Sequence, residues 1–110
     1  MAKSNDEIEF HPDAIRDIRE AVQWYRERSE EVGTEFRNLV ESAEELVQQS
    51  PESWAAYLLE TRGFRFQKFP FVLAYVIRGQ RVFIVALAHT KRKPGYWRDR
   101  LEQYALLAAR

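Results

Sequence analysis

The sequence predicts an α+β fold in which an N-terminal strand and a two-helix hairpin pack on a mostly antiparallel sheet, followed by a short C-terminal helix. Two observations support this prediction. Apolar residues recur at three- and four-residue spacing through the first half of the chain, which is typical of amphipathic helices. After Pro51 the pattern changes to short runs rich in β-branched and aromatic residues, which is typical of strands.

The first elements are a short strand over residues 8–10 and a long helix. His11-Pro12-Asp13 marks the helix start, because proline is favoured in the first helical turn. The apolar stripe of this helix consists of Ile15, Ile18, Val22 and Tyr25. The opposite face, which we expect to face water, carries Arg16, Asp17, Arg19, Glu20, Glu27 and Arg28.

A second helix is predicted to begin at Thr34, because Gly33 interrupts the first pattern and threonine can cap a helix. Ser50-Pro51 ends it. Its buried side is expected to contain Phe36, Leu39, Val40, Ala43, Leu46 and Val47. Two amphipathic helices joined by so short a connection form an antiparallel hairpin.

The second half predicts successive strands with turns near Arg62-Gly63, Pro70 and Arg78-Gly79-Gln80. The strands are placed over residues 57–60, 64–69, 72–77 and 82–88. The last two are rich in β-branched residues and are predicted to lie centrally, with the helical hairpin covering one sheet face. Apolar residues within 98–109 predict a terminal helix, either detachable or docked on another subunit.

Length and composition limit the class of protein. With 110 residues, 45% of them hydrophobic, we expect a single domain over residues 1–110, in which 98–110 form a helical extension. The chain has no cysteine, which excludes disulfides and thiolate chemistry. No apolar run approaches the roughly 20 residues that span a bilayer, and residues 1–7 lack the apolar region of a signal peptide. We therefore expect a cytoplasmic protein without membrane contact.

The net charge of zero hides a separation of charge along the chain. Residues 1–55 hold 6 Lys and Arg against 14 Asp and Glu, a net charge of −8, and residues 56–110 hold 11 against 3, a net charge of +8. Such a separation can create a basic face that attracts phosphate or an acidic partner. Alternatively, the acidic helices simply pair with a basic sheet.

His89 ends the last predicted strand, and cations, a Pro-Gly bend and aromatic residues follow it at once. A lone histidine there is either a hydrogen-bonded structural group or an acid or base active near neutral pH. Glu60 is either a salt-bridge partner or the base that accepts a proton from a ribose 2′-hydroxyl. In that second case His89 returns a proton to the leaving oxygen and an arginine stabilises the phosphorane, without a metal.

Basic residues at strand ends and turns are candidates for contacts with nucleic acid, because guanidinium and ammonium groups bind phosphate. These candidates are Arg65, Lys68, Arg81, Lys91, Arg92 and Lys93. They are equally well explained as the solvated side of amphipathic strands, where basic edges discourage aggregation. Trp97 either stacks on an unpaired base or, as we prefer, folds back to cover the sheet end. We find no metal-ligand spacing, phosphate-binding glycine loop or nucleophile-elbow serine, so we expect no metal and no cofactor.

An ordered series of residues resembles the RelE/ParE superfamily of toxins from type II toxin–antitoxin modules, especially the branch labelled plasmid stabilization proteins. The resemblance covers about residues 6–100, and its specificity comes from the spacing of the whole series. The series comprises Phe10-His11-Pro12, Ala14, Ile15, Ile18, Val32-Gly33, Phe36, Pro51, Arg62, Phe69-Pro70-Phe71, Tyr75, Ala88-His89, Arg92, Pro94, Trp97 and Arg100.

The resemblance implies a growth-inhibiting toxin bound and silenced by a cognate antitoxin, as a hetero-oligomer or also as a homodimer. Members of the superfamily either cleave mRNA on the ribosome or poison DNA gyrase, and we slightly prefer cleavage. A catalytic set of Glu60, Arg62, Arg78, His89 and Tyr96 is then expected, the last four at positions matching the toxins that cleave mRNA. The alternatives are a gyrase inhibitor or a non-toxic module that only binds an antitoxin.

Overall fold

A computed structural model describes residues 7–108 of the chain. Its first strand, β1, covers Glu7–Phe10, and helix α1 follows over Pro12–Arg28. His11 caps α1, because its Nδ1 atom accepts a hydrogen bond from the backbone N–H of Asp13 at 3.0 Å. The predicted helix start is therefore confirmed.

Helix α2 covers Glu30–Gln49, so that Ser29 alone separates the two helices. The Ser29 hydroxyl accepts a hydrogen bond from the N–H of Val32 at 3.2 Å and caps α2. The predicted start at Thr34 is wrong, and Gly33 lies inside the helix. A Cβ atom on Gly33 would lie 2.8 Å from the Cα of Arg26, so glycine here permits the close approach of α1 and α2.

We expect Gly33→Ala to lower the free energy of unfolding by about 1 to 3 kcal/mol, because the added methyl group forces the two helix backbones apart. Urea unfolding measures this loss. Thr34→Ala is the control, since Thr34 is exposed and caps nothing. Losing an N-cap side chain costs about 1 kcal/mol, so a loss of this size for Thr34→Ala would indicate that Thr34, and not Ser29, caps α2.

The segment between α2 and the sheet contains two short turns. Short 3₁₀ turns cover Pro51–Ser53 and Leu58–Glu60, and Leu59 and Glu60 have positive φ angles of 55° and 66°. The predicted strand over 57–60 is therefore wrong, because two consecutive left-handed residues cannot continue a strand.

Three further strands are β2 over Arg62–Arg65, β3 over Phe71–Arg78 and β4 over Arg81–His89. The sheet order is β1-β4-β3-β2, with β1 parallel to β4 and the other neighbours antiparallel. The central position of β3 and β4 is confirmed. The predicted turn at Arg62-Gly63 lies within β2 instead, and the predicted strand over 64–69 ends at Arg65.

Both faces of the sheet are covered. The helical hairpin packs on one face, as predicted, around residues such as Phe36, Leu73 and Ile84. Ile15 and Leu46, predicted to be buried, remain 39% and 42% exposed because they lie at the margins of their helical stripes. On the other face Trp97 covers a second apolar cluster and is 1% exposed, which confirms its predicted structural role.

Tyr75 on β3 joins the sheet to the segment after α2. Its buried hydroxyl donates a hydrogen bond to the carbonyl oxygen of Pro51 at 2.6 Å. Burial raises the pKa of Tyr75 to about 12, and the positive charge of Arg62 offsets only part of this rise. An unfolded tyrosine has a pKa near 10.

This pKa predicts a loss of stability at alkaline pH. Below pH 10 the ionisation of Tyr75 has no effect, whereas between pH 10 and 12 the unfolded chain releases a proton that the folded chain retains. At pH 7 we expect Tyr75→Phe to lower the free energy of unfolding by about 1 to 3 kcal/mol, because the hydrogen bond to Pro51 is lost. At pH 11 the wild type itself is less stable, since its unfolded chain ionises, so the difference between variant and wild type should be about 1.4 kcal/mol smaller. Urea unfolding at the two pH values tests this. A difference between variant and wild type that does not change with pH would contradict it.

Helix α3 covers Arg98–Ala108, within the predicted terminal helix, whose residues 109–110 lie outside the described part of the chain. The side chain of Gln103 lies 2.7 Å from Nε2 of His11, at the entry to α1. No helix of the described residues is long and apolar enough to cross a membrane.

Ion pairs connect the acidic first half of the chain to its basic second half. Lys68 pairs with Glu35 at 3.0 Å, Arg81 pairs with Glu9, and Arg100 pairs with Asp17. The separation of charge along the sequence is therefore partly neutralised within the fold.

Candidate binding site

A cavity of about 520 Å³ lies between α1 and the C-terminal end of β4. We call it the α1–β4 pocket. Its wall combines aromatic rings with charged groups at the rim. The lining residues are Asp17, Glu20, Ala21, Trp24, Tyr25, Pro70, Phe71, Leu87, His89, Arg92 and Tyr96.

The pocket exists because β1 is shorter than β4. The last residue pair of these strands is Phe10 with Ile84, after which the N–H of His11 bonds to the Ile84 carbonyl and Pro12 starts α1. Beyond Ile84, β1 no longer covers the edge of β4. A β-bulge follows at Val85, since Tyr75 pairs with Ile84 whereas Ala74 pairs with Ala86.

Side chains replace β1 along this edge. Asp17 accepts a hydrogen bond from the N–H of Leu87 at 3.1 Å, and Arg100 donates one to the carbonyl of Val85 at 3.0 Å. The hydroxyl of Tyr96 lies 3.5 Å from the Leu87 carbonyl. The exposed strand edge is thereby closed without a further strand.

Asp17 and Arg100 form a buried ion pair. Their side chains are 10% and 13% exposed, with contacts of 2.7 Å from Nη1 to Oδ2 and 3.2 Å from Nη2 to Oδ1. Burial by itself lowers the pKa of Arg100, but the hydrogen bond and the charge of Asp17 outweigh this and raise it overall. The expectation that Asp17 faces water is wrong.

His89 reaches the pocket from the end of β4. Its Nδ1 atom accepts a hydrogen bond from the N–H of Lys91 at 3.0 Å, and its ring packs edge to face on Phe71 with centroids 4.9 Å apart. With Nδ1 acting as acceptor, the neutral ring carries its proton on Nε2. His89 can therefore donate a hydrogen bond from Nε2.

Tyr96 and Arg92 form one side of the mouth. The guanidinium of Arg92 stacks 3.7 Å from the centroid of the Tyr96 ring, and that of Arg100 lies 5.5 Å from it. Burial is the main cause of the raised pKa of Tyr96, and nearby Asp17 adds to it. The phenol therefore stays neutral near pH 7.

Aromatic rings form the opposite side. Tyr25 lies at the centre, with ring centroids 5.1 Å from Trp24 and 6.4 Å from Phe71. Trp24 is 51% exposed, an unusual fraction for so large an apolar side chain. Arg28 stacks on it at 3.5 Å.

The pocket gathers only part of the residues predicted from the sequence. His89, Tyr96 and Arg92 lie together, whereas Glu60, Arg62 and Arg78 do not line it. Arg62 donates hydrogen bonds to the carbonyl of Trp54 at 2.8 Å and, more weakly, to that of Glu52 at 3.4 Å.

Arg78 and His89 lie at opposite ends of the β3–β4 hairpin. Arg78 pairs with Arg81, and His89 pairs with Phe71, seven residues away along β3. At about 3.3 Å per residue the two ends are roughly 23 Å apart. Glu60 is exposed in the loop before β2. Arg78 and His89 therefore do not converge on one phosphate.

The six candidate nucleic-acid contacts do not form one group, although Lys91, Arg92 and Lys93 lie together in the turn after β4. Lys68 and Arg81 are held in ion pairs on different parts of the surface. Arg65, Lys91 and Lys93 are exposed, the last two in the turn after β4.

Sequence reasoning did not assign most of the lining residues to a site, among them Asp17, Glu20 and Trp24, and it also missed the role of Arg100 beside the pocket. One signal was available, since Asp17 lies three residues after Ala14 and four before Ala21, both of which are buried. The partners of Asp17 lie 70 and 83 residues away along the chain, which no local pattern reveals.

Within residues 7–108, no group of three or more His, Asp and Glu side chains is placed to hold a metal ion. The lining residues of the pocket offer stacking, apolar contact and hydrogen bonding to an anion.

Comparison with known proteins identifies the fold and the family of this chain. A chain from a solved structure, the chromosomal ParDE TA system from P. aeruginosa, superposes with a TM-score of 0.67 over 80% of this chain and 100% of its own length. Its sequence identity is 16%, so the likeness concerns the fold alone. No curated protein matches the chain.

The fold is thus one found in type II toxin–antitoxin systems. A family model described as the ParE toxin of the type II toxin-antitoxin system parDE matches residues 8–94. The chain belongs to this ParE toxin family, which confirms the resemblance to the RelE/ParE superfamily. Tyr96, Trp97 and Arg100 lie beyond the matched residues.

Proposed function

We propose that this chain is a growth-inhibiting toxin that a cognate antitoxin holds inactive, and that it acts by binding DNA gyrase rather than by cutting mRNA. One observation supports the choice of target: two residues predicted for RNA cleavage, Arg78 and His89, lie apart. They occupy opposite ends of the β3–β4 hairpin.

RNA cleavage requires an acid, a base and a cation within hydrogen-bond reach of one phosphate. Of the predicted catalytic set, His89 and Tyr96 line the pocket, whereas Glu60, Arg62 and Arg78 do not. Nδ1 of His89 is occupied by a backbone N–H, and burial raises the pKa of Tyr96. Arg62 is directed to carbonyl groups of its own chain. Binding to a protein target requires no such convergence.

Ribosome-dependent mRNA cleavage is the second candidate. The exposed cations Lys91, Arg92 and Lys93 beside His89 favour it, because phosphate contacts supply most of the affinity for RNA. In that case His89→Ala abolishes growth arrest.

The test is controlled expression in a bacterial host without the antitoxin, combined with transcript mapping and a reporter of DNA damage. We expect growth arrest, an induced damage response, uncut transcripts, and inhibition of purified gyrase by the purified chain. His89→Ala and Arg78→Ala should keep the arrest within about twofold, because the proposed action involves no proton transfer.

Cut transcripts, together with loss of arrest in His89→Ala, would instead establish the nuclease. Normal growth on expression of the folded chain would contradict the toxin function and support a non-toxic module that only binds an antitoxin. Circular dichroism of each variant separates loss of function from loss of fold.

A further inference from the structure

We propose that the α1–β4 pocket is an anchoring site for a segment of the antitoxin, an assignment that rests on the toxin function proposed above. The segment presents an aromatic or large aliphatic side chain to the apolar interior and places a neighbouring carboxylate on Arg92. The pocket thus recognises a pair of side chains, one apolar and one acidic.

The interior suits a large apolar side chain. Its volume of about 520 Å³ falls within the range of pockets that hold ligands. Trp24, Tyr25, Phe71 and Leu87 supply the apolar wall. Trp24 is 51% exposed, so covering it removes a large apolar area from water. Trp, Tyr and Arg are also the residue types that dominate the energetics of protein interfaces.

Arg92 provides the anion contact. It is exposed, and stacking on Tyr96 orients its guanidinium. The N–H groups at the edge of the guanidinium remain available to a ligand. Among residues 7–108, no carboxylate pairs with it. A guanidinium held in this way can bind a carboxylate through two parallel hydrogen bonds. The Nε2 proton of His89, whose Nδ1 is occupied, offers a second donor in the same pocket.

The edge of β4 argues for recognition through side chains rather than through an added strand. Asp17, Arg100 and Tyr96 already occupy the backbone groups of Val85 and Leu87 that such a strand would need. Displacing them would break a buried ion pair, which is costly.

The charges at the rim also set an orientation. Glu20 lies on α1, on the other wall from Arg92, and repels a carboxylate placed beside it. An acidic residue of the partner therefore binds at the Arg92 end.

The first experiment uses two synthetic peptides, acetyl-Ser-Phe-Glu-Ser-amide and its Phe-Gln twin, titrated into the purified chain. NMR shifts of the Trp24 indole N–H and the Arg92 Nε–H report binding. We expect the Glu peptide to bind at least about fivefold more tightly than the Gln peptide, since the carboxylate contact is charge-assisted. Arg92→Gln should abolish this preference, whereas the control Arg98→Gln should keep it, because Arg98 is exposed and does not line the pocket.

Equal affinity for the two peptides, no binding of either, or a preference that survives Arg92→Gln would overturn the assignment. Phenylacetate serves as a third probe. If it binds tenfold more tightly than the Glu peptide, the pocket serves a free aromatic carboxylate and the antitoxin assignment is wrong.

The second experiment is in cells, where the product of the adjacent reading frame is co-expressed from a titratable promoter. Arg92→Gln should arrest growth like the wild type but require about tenfold more of the co-expressed protein for rescue. Loss of arrest in folded Arg92→Gln would place the pocket on the surface that binds the toxin's target, and rescue at the wild-type level would also overturn the assignment. If the wild-type chain does not arrest growth, the proposed toxin function fails, while the peptide titration still decides the ligand of the pocket.

Discussion

Replacing Asp17 by alanine is expected to lower the free energy of unfolding by about 3 to 5 kcal/mol. The substitution leaves the guanidinium of Arg100 buried without its counter-charge and the N–H of Leu87 without its acceptor. Urea unfolding followed by circular dichroism measures the loss. Asp17→Asn should cost less, because an amide oxygen can still accept the hydrogen bond from Leu87.

Glu41→Ala is the matched control, since Glu41 pairs with Arg37 at 3.5 Å on the exposed side of α2. Removing this carboxylate should change the free energy of unfolding by less than about 1 kcal/mol. Similar losses for Asp17→Ala and Glu41→Ala would show that the buried pair contributes no more than a surface pair.

Trp97→Ala is expected to have a similarly large effect, about 3 to 5 kcal/mol. The ring is 1% exposed, belongs to the same apolar cluster as Ala74 and Ala86, and stacks on Tyr57 with centroids 6.2 Å apart. Truncation therefore opens a cavity on the sheet face opposite the helical hairpin. The measurement is again the free energy of unfolding in urea.

For comparison, Trp24→Ala removes the same side chain from a site that is 51% exposed. Its cost should be about 1 kcal/mol, because only part of the ring is withdrawn from water. If Trp97→Ala cost no more than Trp24→Ala, the second apolar cluster would not contribute to stability as its burial indicates.

Local patterns predicted the elements whose periodicity is strong. Both long helices and the strands β3 and β4 were predicted correctly from these patterns. Positions on a buried helical stripe or in a central strand require apolar residues, and this requirement makes the pattern visible in the sequence. The errors lie where local signals compete. The glycine at position 33 is typical of a helix end, but in the structure it permits the close contact with Arg26. Residues 57–59 are apolar, as in a strand, but the chain bends at Leu59 and Glu60, which have positive φ angles.

The candidate site was only partly accessible from the sequence. His89, Arg92 and Tyr96 are close along the chain, so their proximity could be predicted, whereas Asp17 and Trp24 come from α1 and meet them only in the folded sheet. The predicted catalytic grouping of Arg78 with His89 ignored the length of the hairpin that separates them. Register, rather than residue type, decided which candidates meet.

The parallel pairing of β1 with β4 also bears on when the molecule becomes active during its synthesis. Ile8 pairs with Val82, a separation of 74 residues (82 minus 8). At roughly 5 to 20 residues per second, β1 waits roughly 4 to 15 s on the ribosome for its neighbour, while the helical hairpin can already form. Asp17 gains Arg100 later still. Nascent chains therefore offer no finished recognition surface to a target or an inhibitor until residue 100 has left the exit tunnel.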